Sequence, residues 1–389
     1  MEQMMDMLAL KLNMNPLELR LKNAVTRGDK NCIGVTLTHS VGISECIKKI
    51  KKHPLWRNRN RWKKNAGPYK IRGTGVACMA HAMGYPPTIP DQATAKIEIT
   101  DKGKIRVYAG VVDMGQGNAS TYMHIAGHIL AQNESEMEMV LPDTARTLPS
   151  GSSSASRTTY TYGNALIGVT YKLKKALLEK ASLLIEGSTV DDYLLEPGHV
   201  KHIPSGTIIP FMEIARLFND SDRVFTEYFR MPTVQDKLDI IYMGPHLIYS
   251  YGCHLVYTEI DIITGRIEVK AYIAATDAGR VINPQLYEQQ IQGAIAQGIG
   301  YALTESFIIE KGKVLTENLA TYTIPTAKDV PEIISICVET EEESGPFGLK
   351  GVGEVATSGP LPAIANAIAD ACKKRIFSAP FTAEKILLL

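Results

Sequence analysis

Cysteine is sparse and scattered in this chain. The six cysteines, Cys32, Cys46, Cys78, Cys253, Cys337 and Cys372, stand far apart with no C-x-x-C pair, so an iron–sulfur cluster, a zinc ribbon or a redox dithiol has no local seed. They read as separate buried thiols in a reducing compartment. An excess of one charge is also absent. Lys plus Arg number 42 against 41 Asp plus Glu, which leaves no global field to attract nucleic acid or an anionic membrane. No apolar run approaches the roughly 18 residues that span a bilayer. The opening MEQMMDMLAL lacks the basic flank and small-residue cleavage site of a signal peptide. A cytoplasmic location and a small-molecule or protein partner are expected. Two phosphate motifs are missing as well, the G-x-x-x-x-G-K-[ST] loop and a G-x-G-x-x-G after a strand.

With 389 residues the chain has enough material for two domains or one large one with appendages. It opens in the middle of an amphipathic pattern, with Met1, Met4, Met5, Leu8 and Leu12 at helical spacing and no N-cap, as though continuing a helix encoded elsewhere. Asn15-Pro16 then reads as a cap and first turn for PLELRLKNAV. The segment Lys48 to Lys64 interleaves Trp56 and Trp62 with Lys51, Lys52, Arg57, Arg59, Arg61 and Lys63. Aromatics among cations suit single-stranded nucleic acid, but no matching basic surface exists elsewhere, and a solvated linker is the expectation.

From Ile71 onward the pattern turns β-rich. AKIEIT and KIRVYAGVV flank Asp101-Lys102-Gly103 as a hairpin, and HLVYTEIDI and RIEVKAYIAA repeat the design around Thr264-Gly265. Each ends in an acid, Asp113 or Asp277, ahead of a glycine and a helix, which hints at an internal duplication. Apolar spacing predicts helices over 118–130, 164–184, 284–303 and 362–372. Hairpins mixed with single helices, without steady β-α-β alternation, indicate an α+β fold.

His124 and His128 in HIAGH stand at i, i+4, a spacing that lets both reach one zinc ion, but Ile125 occupies the place of a metalloprotease's glutamate base. A polar helix face is the plainer reading. Four loops are more unusual. VVDMGQGNAS sets Gln116 between Gly115 and Gly117 at a strand end, where the backbone lies open to a large ligand and the amide can both donate and accept. LPSGSSSASRTTYTYGNA offers Ser150, Ser152, Ser153, Ser154 and Ser156 with the forked cation of Arg157 before a helix, a combination suited to phosphate or pyrophosphate. INPQLYEQQIQGAIAQGIGYALTE places Gln289, Gln290 and Gln292 before Gly293, Gly298 and Gly300 inside a helix, which points to close packing against a ligand or another helix. SGPFGLKGVGE carries Lys350 and Glu354 on a glycine-shaped loop ahead of an apolar helix, where a desolvated carboxylate would serve as a base. A turn, a serine linker, plain helix packing and a solvated acid near a helix start are the respective structural alternatives.

Taken in order, MGQG, the serine loop ending SRTT with GNA after it, TDAGRVINP with Q-x-x-G-x-x-x-Q-G-x-G-Y-A, and GPFGLKGVGE followed by PAIANAI resemble the molybdenum hydroxylases of the xanthine dehydrogenase and aldehyde oxidase type. The nicotinate dehydrogenase, purine hydroxylase and 4-hydroxybenzoyl-CoA reductase branch is the most similar. The resemblance covers nearly the whole chain. It implies that residues 1–66 are helices closing a first molybdenum-binding domain plus a basic linker, and that residues 67–389 form the second molybdopterin-binding domain.

It also implies a molybdopterin cytosine dinucleotide with molybdenum held by the pterin and by no protein ligand. Gly115, Gln116, Gly117, Ser152, Ser153, Ser154, Ser156, Arg157, Gln290, Lys350, Gly351, Val352 and Gly353 would contact it. Glu354 would be the catalytic base that takes the proton from the oxygen attacking an electron-poor carbon, and Tyr85 and Ile89 in MAHAMGYPPTIPDQA would border a substrate funnel. The implied reaction is hydroxylation of an aromatic heterocycle or aldehyde with water as the oxygen source. A noncatalytic cofactor-carrying subunit or a reductase of the 4-hydroxybenzoyl-CoA type are the alternatives. A second molybdenum-subunit chain, an iron–sulfur subunit with [2Fe-2S] and a subunit with FAD are the implied partners.

Overall fold

Asn15 accepts a hydrogen bond from the Leu17 backbone through its side chain and Pro16 follows, so a helix starts there as the sequence implies. Asn283 and Pro284 repeat the device, with Asn283 capping Leu286. A computed structural model describes residues 1–85, 89–234 and 246–389. The Pro-Pro-Thr part of the expected funnel segment, residues 86–88, therefore lies outside the described residues.

In chain order, helices α1 (Glu2–Lys11), α2 (Pro16–Lys22), α3 (Ile43–Lys52) and α4 (Pro54–Lys64) precede strand β1 (Lys70–Ala82). Next come β2 (Gln92–Ile99), β3 (Ile105–Tyr108), α5 (Asn118–Leu130), β4 (Met137–Val140) and α6 (Thr158–Ser182). A small sheet of β5 (Tyr193–Glu196), β6 (His199–His202) and β7 (Ile208–Pro210) leads to α7 (Phe211–Ala215) and β8 (Val224–Arg230). Strands β9 (Tyr249–Asp261) and β10 (Ile267–Asp277) are followed by α8 (Pro284–Leu303), the short pair β11 (Ile309–Glu310) and β12 (Lys313–Val314), α9 (Leu319–Tyr322) and β13 (Ile333–Val338). Helices α10 (Pro360–Cys372) and α11 (Ala383–Leu387) close the chain.

These elements form two compact units. The first holds residues 1–82, 247–342 and 352–389, the second residues 83–246 and 343–351. Residues 1–66 thus share a core with much later residues, and the boundary at 66/67 stays an expectation about the domains of a longer family subunit.

The two units share one topology. In the first, the sheet runs β1-β9-β10-β13, with β9 and β10 antiparallel and β13 parallel to β10. In the second it runs β8-β2-β3-β4, with β2 and β3 antiparallel and β4 parallel to β3. Each parallel pair is joined by a helix-containing crossover segment, with α5 in the second unit and with α8 and the short α9 in the first, as parallel strands require. Helix α10 packs on β1 and β9 as α6 packs on β8 and β2. The fourth strand is the difference, since β1 precedes its hairpin in the chain and β8 follows it. The duplication hinted at by two hairpins is therefore real at the level of topology, in circularly permuted form. The α+β character holds, but each unit also contains one β-α-β crossover that periodicity did not reveal.

The basic segment corrects an expectation. It is not a solvated linker but α3 and α4, packed on one face of the first unit's sheet. Ile43, Cys46, Ile47, Ile50 and Trp56 join a buried cluster with Leu255, Tyr257 and Ile273. The cations lie around this core: the Arg59 guanidinium sits 3.7 Å over the Trp56 ring and that of Arg72 4.7 Å over Trp62. Amphipathic spacing of four apolar residues outweighs the local charge density. The opposite face of the sheet carries Ala77, Val256, Ile291, Ile295, Ile364 and Ile368.

Helix α1 packs by its polar side. Glu2 and Asp6 pair with the buried Arg20 at 2.8 and 2.6 Å, while Met4, Leu8 and Leu12 remain 63, 44 and 56 % exposed. The apolar stripe seen in the sequence faces outward.

Candidate functional site

Strand β3 of the second unit ends at Tyr108, and the chain turns through residues 109–117 into α5. Gly115 and Gly117 have φ of 103° and 80°, the left-handed region that glycine enters without strain. Asp113 holds the turn. Its carboxylate accepts from the backbone of Gly115 at 3.0 Å, Gly117 at 3.2 Å and Ala119 at 3.1 Å. Burial pushes its carboxyl up, but the backbone hydrogen bonds outweigh that and leave it below the ordinary carboxylate range. Gln116 folds back on the same turn: Oε1 accepts from Met114 N at 2.5 Å and Nε2 donates to Val112 O at 3.0 Å. Each amide atom keeps one further bonding position.

The serine loop meets this turn directly. Ser153 Oγ donates to Val112 O at 2.5 Å, the carbonyl that Gln116 also uses. Ser152 and Ser154 share a hydroxyl contact of 2.7 Å, and both bond the Tyr85 phenol. Burial pushes that phenol up, yet the two serines and the Arg157 charge outweigh it and hold it below its ordinary value. Ala155 and Ser156 both adopt positive φ, 55° and 49°, an uncommon conformation for side-chain-bearing residues. A third segment closes on them. The side chain of Asn164 on α6 donates to Ser344 O at 3.0 Å, and a Cβ at Gly351 would collide with the Ser156 carbonyl. Lys350, in the same segment, is buried.

Arg157 corrects the expectation of a forked cation presented to a ligand. It is fully buried. Its guanidinium donates to Asp91 Oδ1 at 2.5 Å, Ser150 O at 3.0 Å, Ser152 O at 3.2 Å and Gln92 O at 2.7 Å. A planar fork facing four inward acceptors fastens the loop from beneath.

One buried donor remains where the starts of two helices meet. Asn118, first residue of α5, lies beside Thr158, first residue of α6, with Thr158 Oγ1 at 3.4 Å from Asn118 Oδ1. Asn118 Nδ2 is buried and has no acceptor among the described residues. Two helix starts, each preceded by a loop of small residues, and a buried amide donor in need of an acceptor fit a large anionic ligand. The residues present thus fit a phosphate-bearing pterin cofactor.

Glu354, Val352, Gly353 and Gln290 belong to the first unit. Glu354 follows Gly353 just before α10, and its Oε2 lies 3.2 Å from His81 Nε2 at the end of β1. Contrary to the expectation of a desolvated base, its side chain is 48 % exposed, because the loop carries it outward from Val355 and Ala356, which are buried. Val352 is half-buried and Gly353 exposed, and Gln290 is half-buried on α8. Of the α8 glycines, Gly298 packs on Pro360 and Gly300 on Glu305 and Pro325, whereas Gly293 has open space. Helix packing thus accounts for Gly298, which meets the start of α10, while Gly300 packs on loop residues. His124 pairs with Glu134 at 3.0 Å and His128 stacks edge-on to Phe347, so they take separate partners. Among the described residues no cluster of His, Cys, Asp or Glu suits a metal ion. Nor is any described helix long and apolar enough to cross a membrane.

Tyr85 touches the serine loop, while Ile89 is exposed. Sequence reasoning missed His81, Asp91 and Asn118. Asp113 was noted only as an acid at a strand end; its position two residues before a glycine was the available signal.

Residues 49–331 match the family model of the molybdopterin cofactor-binding domain. The chain is 31 % identical over its full length to a probable xanthine dehydrogenase subunit of Bacillus subtilis, spanning 50 % of that protein. The aldehyde oxidoreductase structure from Desulfovibrio gigas superposes with a TM-score of 0.82 at 27 % identity, covering 99 % of this chain and 39 % of that one. Quinoline 2-oxidoreductase from Pseudomonas putida 86 shares the fold with a TM-score of 0.85 at 24 % identity, covering 100 % of this chain and 51 % of that one. The chain spans about half the length of curated relatives that it matches. On the extent of the family match and the loops that carry it, the chain belongs to the molybdopterin cofactor-binding domain family of the xanthine dehydrogenase and aldehyde oxidoreductase type.

Proposed function

We propose that this chain is the pterin-holding part of an oxidoreductase that hydroxylates an electron-poor carbon of an aromatic heterocycle or an aldehyde, with water as oxygen source. The observation that carries it is the joining of the Gln116 turn, the serine loop and the Gly351 segment in one unit, with the buried Asn118 amide beside them. Gly115, Gln116 and Gly117, Ser152 to Ser156 and the backbone around Lys350 and Gly351 hold the pterin dinucleotide in this reading, with Gln290, Val352 and Gly353 as further contacts. Arg157 contributes by shaping the loop. The bound cofactor supplies molybdenum, a two-electron acceptor and Lewis acid.

Glu354 is the base. Its Oε2 bonds to His81 Nε2, which orients the carboxylate for taking a proton from the attacking oxygen. Tyr85 and Ile89 border the substrate path. Relatives whose names include xanthine dehydrogenase, aldehyde oxidoreductase and nicotine 6-hydroxylase support the substrate class.

The cytosine form of the dinucleotide, a second molybdenum-subunit chain and partners carrying [2Fe-2S] and FAD belong to the same proposal. Electrons have to leave the reduced centre, and the six dispersed cysteines here offer no cluster site. Metal and nucleotide analysis of the tagged chain copurified from its native host tests the reading. Molybdenum, a pterin cytosine dinucleotide, iron and flavin are expected in the complex. A complex without molybdenum or pterin overturns it.

A further inference from the structure

Asp91 is not among the residues that the family resemblance points to, yet it is where the substrate-side segment and the cofactor-side loop of the second unit are fastened together. The carboxylate is buried and divided between two tasks. Oδ1 accepts from Arg157 Nε at 2.5 Å, and Oδ2 accepts from the Tyr85 backbone N–H at 2.7 Å. Other Arg157 donors reach Ser150 O, Ser152 O and Gln92 O, so a single guanidinium ties the start of the Gly151 to Ser156 stretch to the start of β2 and to the residue that follows the stretch. The pair is joined from the other side as well. Gly84 N donates to Ala155 O at 2.9 Å, the Tyr85 ring lies 5.0 Å beneath the guanidinium, and its hydroxyl contacts Ser152 and Ser154. Gly84 has φ of 86°, and a Cβ there would meet the Asp91 carboxylate, which keeps the backbone close enough for this contact.

The arrangement has a mechanical consequence. A buried ion pair whose guanidinium also meets three carbonyls is held rigidly, and removing one partner leaves the other charge buried and uncompensated. The serine loop carries two adjacent positive φ values without glycine, a conformation that persists only when the surroundings over-determine it. Asp91 and Arg157 supply that constraint, and the same carboxylate sets where Tyr85 begins.

We propose that Asp91 and Arg157 are positioning residues that couple the serine loop to the Tyr85 segment, so that the geometry of cofactor holding and the border of the substrate path shift together. The second half of this statement rests on the function proposed above, and the first half does not. Two measurements separate them. On the full chain, hydrogen exchange compares wild type with Asp91→Asn, which keeps the shape but can accept from only one of Tyr85 N and Arg157 Nε, its amide NH2 facing the other donor, and with Arg157→Lys, which keeps charge but loses the fork. Both variants are expected to speed exchange at least about tenfold at residues 84–85 and at residues 151–156 together, with the α8 and α10 amides of the first unit unchanged. Acceleration in only one of the two segments, or in neither, overturns the coupling.

On the complex from the native host, each variant is expected to lose pterin dinucleotide on gel filtration. The molecules still loaded are expected to show a substrate KM raised about tenfold with kcat per molybdenum within about twofold of wild type. An unchanged KM with normal retention overturns the link to the substrate border even if the exchange result stands. Absence of pterin from the wild-type complex sinks the proposed function while leaving the exchange result to decide the coupling. Global unfolding of both variants, seen as loss of α10 protection, also overturns the proposal, since it would make the pair a general stability element.

Discussion

His81 Nε2 lies 3.2 Å from Glu354 Oε2, joining the end of β1 to the loop that leads into α10. The contact spans 273 residues of sequence and involves a histidine that no local pattern marks. It orients the carboxylate of a side chain that remains open to solvent, and an oriented, accessible carboxylate is what a base requires.

Replacing Glu354 by Gln keeps the shape of the side chain beside His81 while deleting the proposed base. Turnover per molybdenum is expected to fall by at least about 100-fold, with cofactor content unchanged. Loss of cofactor together with normal activity per remaining metal would make Glu354 structural.

Gly351 admits no side chain, because a Cβ would collide with the Ser156 carbonyl. Gly351→Ala is expected to cost about 1–3 kcal/mol and to lower pterin content more than it lowers the melting temperature. A variant with full cofactor content and unchanged melting would show that the contact does not shape the loop.

Asp113 gives a pH signature. Its folded carboxyl lies below the ordinary value of 3.8, so its contribution is fully present above that value and fades as pH falls through the lower folded value. The stability difference between wild type and Asp113→Ala, measured by denaturant unfolding, is therefore expected to be constant at neutral pH and to shrink below about pH 4. A difference that grows on acidification contradicts the assignment.

His254 acts with the opposite consequence for the protein. It is fully buried on β9, its Nδ1 lies 2.8 Å from the Tyr272 hydroxyl, and its Nε2 has no partner among the described residues. Burial pulls its value from the ordinary 6.5 down to about 3. Above pH 6.5 it has no effect; as pH falls from there towards 3 the unfolded chain takes up a proton that the folded one refuses, and stability is lost. His254→Gln is expected to remove part of the acid sensitivity between those values, read from unfolding midpoints across the range. An unaltered pH slope would place the titrating group elsewhere.

The thiols should separate cleanly by exposure. Cys32 is exposed whereas Cys46 and Cys253 are buried, and burial pushes the Cys253 thiol well up. A thiol reagent is expected to label Cys32 in the native chain and to reach Cys46 and Cys253 only after denaturation. Fast labelling of Cys253 would mean that the sheet opens locally.

The sequence alone determined whatever depends on near neighbours in the chain. The caps at Asn15 and Asn283, the two hairpins, the spans of α5 and α8, and the glycines of the Gln116 turn follow from spacing and backbone preference within a few residues. The order of its four unusual loops was enough to indicate the family. The tertiary structure decided what depends on partners far away. Lys48 to Lys64 read as a linker because charge density is a local property, while the burial of Ile47 and Trp56 depends on β9, some 200 residues on. Arg157 read as a cation for a ligand because the serine loop gives no sign of Asp91, 66 residues earlier, which takes its charge inward. Glu354 read as desolvated because glycines flank it, yet burial is set by what packs around a loop and not by its composition. Exposure, charge pairing and the choice of hydrogen-bond partner are properties of the folded arrangement, and pattern along the chain carries them only where the partner lies close in sequence.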